Sequence, residues 1–235
     1  MRLANLKNKS RIILALDHLG KLRDERILRK AIANVAGVKI GLPLVLSEGF
    51  SYVVNFLSNK DTYVLADFKL ADIPDIMIRV SEKVIGFVDG VIAHAFVGCE
   101  AISKLREFLK SYGVELFLVI AMTHRGAEEF INRHTEEFIE IAKDYADGVV
   151  APATFPDKIS LARRILEDKV IVSPGIGAQG AEVGSAIRMG ADFEIIGRLI
   201  TMSEDPLAVV SGINRIHRKI LASSTNSHRC PENMR

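Results

Sequence analysis

The sequence predicts an α/β protein folded as a single-domain (β/α)₈ barrel, and three observations point there. Eight short apolar runs recur along the chain as nearly continuous hydrophobic segments. Parallel strands covered on both faces read this way, whereas half-exposed strands alternate. A longer helical pattern follows each run, giving βα units of roughly 20–30 residues. The 235 residues then suffice for one barrel near the lower end of its usual ~250-residue size. A doubly wound open sheet is the main structural rival.

In chain order, the strands are expected at 11–17 (RIILALD), 35–40 (VAGVKI), 62–69 (TYVLADFK), 88–94 (VDGVIAH), 114–122 (VELFLVIAM), 147–151 (DGVVA), 169–173 (KVIVS) and 193–197 (FEIIG). Helical patterns occupy 22–34, 43–58, 74–86, 99–111, 128–145, 156–167, 179–189 and 206–221. Pro43, Pro74, Pro156 and Pro206 stand near helix starts, where the missing N–H has no helical partner to lose. Gly86, Gly113 and Gly190 fall near helix ends, where a positive φ costs glycine little. No linker or composition shift marks a second domain, so residues 1–222 read as the barrel. The polar stretch 223–235 (SSTNSHRCPENMR) reads as a disordered tail.

Composition narrows the function classes. Hydrophobic residues make up 49% and charged residues 26%, which excludes disordered, collagenous and disulfide-scaffold proteins. The 31 Lys and Arg nearly balance the 29 Asp and Glu, for a net charge of +2. That sum makes no case for nucleic acid or a membrane surface as partner, although a local basic patch is compatible with it. Cys99 and Cys230 form neither a disulfide framework nor a metal cluster and read as free thiols in a reducing compartment. With no membrane-length apolar run and no signal-like start, the reading is a soluble cytoplasmic protein.

In such a barrel the active site gathers at the carboxyl ends of the strands. There the sequence places Asp17, Lys39, Asp67, Lys69, Asp72, His94, Thr123, His124 and Arg198. Charges within apolar strands are costly unless paired or functional. Asp67 and Lys69 are two residues apart, so simple alternation sends both to one face, roughly 6–7 Å apart along the strand, with Phe68 toward the helices. Lys39 ends the neighbouring strand within reach of Asp67, and Asp72 follows just beyond. Two lysines and two aspartates sum to zero charge, which allows partial burial with each group ionised. A structural ion-pair network closing the barrel mouth is the alternative reading.

After strand 7, Gly175, Gly177 and Gly180 surround Gln179, which is expected to open a helix, and Arg198 follows strand 8. Close backbone approach, helix N–H groups and a guanidinium fork together suit a phosphate. The competing reading is a glycine turn beside a solvated arginine. Asp17 is open between a sugar-hydroxyl partner and a helix cap. His94 reads as a satisfied rim histidine, His124 as structural and Thr123 as a turn residue. No His, Cys or carboxylate spacing reads as a metal site.

LALD at 14–17, Lys39-Ile40-Gly41, ADFKLADIPD at 66–75, MTHRGA at 122–127, SPGIGAQG at 173–180 and Gly197-Arg198 together resemble the orotidine 5′-monophosphate decarboxylases, especially their compact archaeal form. The blocks run in the family's order over most of the chain. The resemblance implies conversion of orotidine 5′-monophosphate to UMP and CO₂ in pyrimidine synthesis, with no metal and no organic cofactor, by a homodimer whose sites lie at the interface. It implies Lys69 as proton donor to pyrimidine C6, Asp67 facing the departing carboxylate, and Lys39 linking ribose and Asp67. Asp72 would cross into the partner's site. Asp17 would bind a ribose hydroxyl, Ile73 would pack near the base, and Thr123 would bond the pyrimidine edge in place of the relatives' serine. Gln179, Gly197 and Arg198 would hold the phosphate. Pro174, Gly175, Gly177 and Gly184 would contact substrate from the 174–184 loop as it closes. Ile76 stands where many relatives carry threonine, and Glu194 is a charge within strand 8 that the sequence does not explain. Two alternatives remain: a Mg²⁺-dependent sugar-phosphate decarboxylase or aldolase of the same suprafamily, and a non-catalytic barrel that binds a phosphorylated nucleotide.

Overall fold

The computed structural model describes residues 2–57 and 62–226. Eight strands close a parallel barrel in sequence order: β1 (Ile12–Leu16), β2 (Gly37–Gly41), β3 (Tyr63–Leu70), β4 (Gly90–His94), β5 (Glu115–Val119), β6 (Gly148–Val150), β7 (Val170–Ser173) and β8 (Phe193–Ile196). The barrel is closed by pairing of β1 with β8, which excludes the open sheet. Each strand falls within a residue or two of its expected position, except that β5 stops at Val119 and leaves 120–122 as irregular chain.

Two apolar layers explain the continuous hydrophobic runs. Inward residues such as Ile13, Leu65, Ile92, Phe117, Val172 and Phe193 fill the barrel. The alternate residues, such as Leu14, Val38, Leu116 and Ile171, pack against the helices. Both faces are buried, so the strands read as apolar runs interrupted by only a few charges, Lys39, Asp67, Lys69, Glu115 and Glu194 among them.

The outer layer contains α1 (Glu25–Ala33), α2 (Leu42–Glu48), α3 (Phe50–Leu57), α4 (Pro74–Glu82), α5 (Cys99–Ser111), α6 (Thr135–Tyr145), α7 (Pro156–Leu166), α8 (Ser185–Arg188), α9 (Arg198–Thr201) and α10 (Pro206–Asn226). Three expected helices differ in kind. That at 128–145 is α-helical only from Thr135, with short 3₁₀ turns at Arg125–Glu129 and Ile131–His134 before it. The pattern at 43–58 is split by Gly49, whose φ of 84° breaks the helix into α2 and α3; residue 58 lies outside the described residues. The pattern at 179–189 yields only the four residues of α8, because Gly177, Gly180 and Gly184 all take positive φ and hold the preceding chain in turns. The carboxyl-terminal helix continues to Asn226, so residues 223–226 are helical rather than tail, and 227–235 lie outside the described residues. Cys99 is a free, exposed thiol, while Cys230 falls outside the described range. Among the described residues no helix is long and apolar enough to cross a membrane.

Candidate active site

The carboxyl ends of the strands open into a cavity of about 370 Å³. Its walls carry Asp17 from the end of β1, Lys39 from β2, Asp67 and Lys69 from β3, Thr123 after β5, Pro174, Gly175 and Gln179 after β7, and Gly197 and Arg198 after β8. Its floor is apolar, formed by Ala15, Ile92, Val119, Val150 and Ile195. Those floor residues read in the sequence only as core, because nothing distinguishes the last inward layer of a barrel from the layers beneath it.

A linear charge network crosses the mouth. Lys39 Nζ donates to Asp17 Oδ1 at 3.0 Å and meets Asp67 Oδ2 at 2.9 Å. Lys69 Nζ donates to Asp67 Oδ1 at 2.7 Å. Each oxygen of Asp67 thus faces one lysine. The inner pair is nearly buried, with side-chain exposures of 7% for Lys39 and 9% for Asp67. Lys69, at 40%, keeps its ammonium accessible to a ligand. Burial pushes the Lys39 ammonium toward neutrality, but the charges of Asp67 and Asp17 outweigh it and leave its pKa raised. Burial likewise pushes the Asp67 carboxyl up, and Lys39 and Lys69 outweigh that to leave it lowered. Both groups are therefore ionised at neutral pH.

The backbone delivers this geometry through a distortion that plain strand alternation does not anticipate. Register between β3 and β4 shifts: Ala66 pairs with Val91, but Leu70 already pairs with Ala93. Within the bulge Lys69 adopts φ 46°, a conformation that costs a side-chain-bearing residue energy and tends to be kept where function requires it. Phe68 packs outward against the helical layer, as expected.

The loop after β7 is held by its own backbone. Gly177 N–H donates to Ala181, Gly180 N–H to Gly177 and Ala181 N–H to Gly175. Gln179 lies in this turn and not at a helix start, so helix N–H groups do not form the anion site expected there. The polar groups facing the cavity from this side are the Gln179 side chain and Arg198. Arg198 is exposed and its guanidinium has no side-chain partner among the described residues.

Several expected site residues lie elsewhere. Asp72 is exposed and accepts from the Ile73 N–H at 2.7 Å, outside the network. The quartet within one chain is therefore Asp17, Lys39, Asp67 and Lys69. Ile73 is 63% exposed and does not line the cavity. Gly177 packs under Leu199. Gly184 is far from a substrate role in this chain: its N–H donates to both oxygens of Glu194 at 2.9 Å, and a side chain there would strike Ile220. The same contact explains Glu194, whose buried carboxylate also accepts from Ala186 N–H at 3.2 Å and meets His217 Nε2 at 2.8 Å. It ties β8 to α8 and α10.

His94 is not satisfied as expected. It is 7% exposed, and its Nδ1 has no partner among the described residues. Burial and then the charge of Lys69 lower its pKa to about 4, against a smaller opposing effect of Asp67. His124 is exposed beside Phe96 and Phe130.

Two positioning residues escape the sequence reading. A side chain at Gly41 would collide with Asp17 Oδ1, so glycine there lets Asp17 reach Lys39. Asn132 is buried and clamps the irregular chain after β5: its Oδ1 accepts from Met122 N–H at 2.9 Å, and its Nδ2 donates to Met122 O at 3.1 Å. Gly41 was visible within the Lys39-Ile40-Gly41 block, whereas nothing local distinguishes Asn132.

Residues 10–213 match the family model described as "Orotidine 5'-phosphate decarboxylase / HUMPS family". The chain is 41% identical over 202 residues to an orotidine 5′-phosphate decarboxylase of Sulfurisphaera tokodaii, covering 83% of this chain and 90% of the relative. It is 38% identical over 231 residues to that of Aeropyrum pernix, covering 92% and 94%. The crystal structure of orotidine 5′-monophosphate decarboxylase from Sulfolobus solfataricus superposes with a TM-score of 0.84 at 35% identity, over 91% of this chain and all of that one. The Methanocaldococcus jannaschii enzyme complexed with the inhibitor BMP gives 0.81 at 29% identity, over 88% and 98%. On fold, motif order and sequence alike, the chain belongs to the orotidine 5′-phosphate decarboxylase family.

Proposed function

We propose that the protein decarboxylates orotidine 5′-monophosphate to UMP and CO₂, with the chemistry at Lys69. The observation that carries this reading is the Asp17–Lys39–Asp67–Lys69 network at the rim of the same cavity that Thr123, Gln179 and Arg198 face. Loss of CO₂ leaves an electron pair at pyrimidine C6. Lys69, held at 2.7 Å from Asp67, supplies both a cation to stabilise that carbanion and a proton to quench it. Asp67 faces the substrate carboxylate. Two like unit charges at 4 Å repel by roughly 4 kcal/mol at an effective dielectric of 20. The flanking lysines offset part of this, so repulsion supplements the electrostatic stabilisation rather than replacing it.

Arg198 and Gln179 hold the phosphate, Thr123 the pyrimidine edge and Asp17 a ribose hydroxyl. Phosphate contacts remote from C6 serve the reaction by drawing the loop after β7 over the substrate and excluding water. The active unit is a homodimer in which Asp72 and Ile73 complete the partner's site. This accounts for two apparently unused residues next to the network, and for the apolar exposure of Ile73, Ile76 and Val80 along one face of α4. A face of that kind on a water-soluble chain favours a partner surface.

Incubating the purified protein with orotidine 5′-monophosphate, with and without EDTA, tests the reading by the ultraviolet absorbance change. UMP formation unaffected by EDTA is expected. Turnover abolished by EDTA, or seen only with sugar phosphates and Mg²⁺, favours the sister activity. Tight UMP binding by a folded protein without turnover favours a binding-only barrel.

A further inference from the structure

Glu194 is a charge that the proposed chemistry leaves unused. It belongs to β8, whose Phe193 and Ile195 fill the barrel, so by alternation it stands on the helix-facing side. Its carboxylate is fully buried, and so is its partner His217 on α10, at 0% and 1% exposure. Taking such groups out of water is costly, and an apolar pair of similar volume would fasten β8 to α10 at least as well. What the carboxylate alone supplies is acceptors. Gly184 N–H donates to both of its oxygens at 2.9 Å, and Ala186 N–H to Oε1 at 3.2 Å. His217 Nε2 meets Oε2 at 2.8 Å. The Nδ1 of that ring is buried without a partner among the described residues, so Nε2 is the nitrogen that turns its proton toward Glu194. Apart from His217, the groups that Glu194 accepts from lie at one point in the chain, the start of α8.

That point is where the loop after β7 ends. From Gly175 to Ala181 the loop is bonded to itself: Ala181 N–H donates to Gly175, Gly177 N–H to Ala181, and Ile176 forms a bridge with Ala181. Gln179, which faces the active-site cavity, rides on this unit. The unit is tied to the rest of the fold on either side. Before it, Pro174 O accepts from Ala153 N–H at 2.8 Å. After it, Gly184 is held by Glu194. Gly175 and Gly184 take φ of 105° and 85°, and such loop and element-terminal residues are the ones that absorb a hinge rotation. The short helix α8 has no side-chain cap at Gly184, so the backbone there depends on the acceptor that β8 provides.

We infer that Glu194, braced by His217, is a positioning residue for the substrate phosphate. It fixes Gly184 as the stationary pivot about which the self-bonded unit carries Gln179 onto the phosphate. This rests on the reading that Gln179 and Arg198 hold that group. A pivot that drifts misplaces Gln179 without touching the charge network, and the loss then falls on ligands that carry the phosphate.

The test compares binding of UMP and of uridine, which differ only in the phosphate. It uses the wild type and a chain carrying Glu194→Leu with His217→Leu, an apolar pair that keeps the packing and removes the acceptor. With circular dichroism unchanged, UMP affinity is expected to fall by about tenfold or more, the scale of one charge-assisted hydrogen bond, while uridine affinity stays the same. His217→Gln, which keeps a donor toward Glu194, should stay near the wild type. In a Gln179→Ala background the double substitution should change UMP affinity little, because the contact it positions is already gone. If the double variant does not fold, Glu194→Gln, which keeps one acceptor oxygen, should lower the preference for UMP over uridine by a smaller factor. Three results overturn the proposal: an unchanged preference, UMP and uridine weakening together as a purely structural pair requires, or the full effect persisting without Gln179. A wild type that prefers UMP but does not decarboxylate orotidine 5′-monophosphate overturns the proposed activity and leaves the preference to decide the pivot. A wild type with no preference for UMP overturns both.

Discussion

The two ends of the barrel use the same residue types in opposite ways. At the amino-terminal end, Asp89, Asp147 and Asp192 stand just before β4, β6 and β8, and each makes the same reciprocal pair with the preceding strand. Asp89 Oδ2 accepts from Val64 N–H at 2.9 Å while its own N–H donates to Val64 O. Asp147 does the same with Leu116, and Asp192 with Ile171. Glu115 joins them, accepting from Tyr63 Oη at 2.8 Å and from Leu3 N–H at 3.1 Å. Each of these carboxylates takes a backbone N–H group, which is fixed and carries no net charge, and Glu115, Asp147 and Asp192 pair with arginines as well. At the carboxyl-terminal end, the partners of the Asp67 carboxylate among the described residues are two lysine side chains, one of them half-open to the cavity. A carboxylate pinned by a backbone N–H is a fastener even where cations also meet it, whereas one held by side-chain cations alone can exchange partners with a substrate.

That contrast is broken or sharpened by substitution, and the largest effect is expected at Asp67. Asp67→Asn should lower kcat by about 10²-fold or more, the scale of losing one preorganised electrostatic group, while the melting temperature moves little. A comparable loss of stability with turnover preserved would reverse the assignment of the two ends. Next, Arg198→Ala should lower kcat/KM by roughly 10–150-fold, the equivalent of one charge-assisted hydrogen bond of about 1.5–3 kcal/mol. Unchanged kcat/KM removes Arg198 from the phosphate site.

At the other end, Asp147→Asn should cost stability and leave kcat alone. Asp147 bonds Leu116 N–H and pairs with Arg2 and Arg106. A loss of about 1.5–3 kcal/mol lowers the melting temperature of a chain this size by roughly 3–12 °C. A drop in kcat at constant stability would contradict its role as a fastener. The smallest effect is expected from His94, whose folded pKa of about 4 lies below its ordinary 6.5. The unfolded chain then binds more protons between those values, so stability falls as pH drops from about 6.5 toward 4. His94→Asn should flatten that part of the melting-temperature profile, and an unchanged slope assigns it to other groups.

The sequence made the barrel legible because every strand is buried on both faces, so the apolar runs stand out against amphipathic helices. Lys39, Asp67 and Lys69 were legible because charges ending apolar strands have few uses other than a site. The failures share a cause. The bulge at Lys69, the self-bonded turn around Gln179 and the roles of Glu194 and Gly184 all depend on partners distant in sequence or on backbone angles that composition does not encode. The aspartate fasteners left a trace in VDGV, ADGV and ADFE at 88–91, 146–149 and 191–194, a recurrence whose meaning needs the register of the neighbouring strands. Asn132 left none, since it falls inside the expected helical pattern at 128–145, where a lone asparagine carries no signal.

The central claim is that Lys69 performs the chemistry from within the charge network. Its most direct test is single-turnover decarboxylation of orotidine 5′-monophosphate by wild-type and Lys69→Ala protein, with circular dichroism on both. A folded variant whose turnover is lower by about 10²–10⁴-fold or more, as removal of a general acid requires, is the predicted result. Substantial UMP formation by a folded Lys69→Ala protein would contradict it.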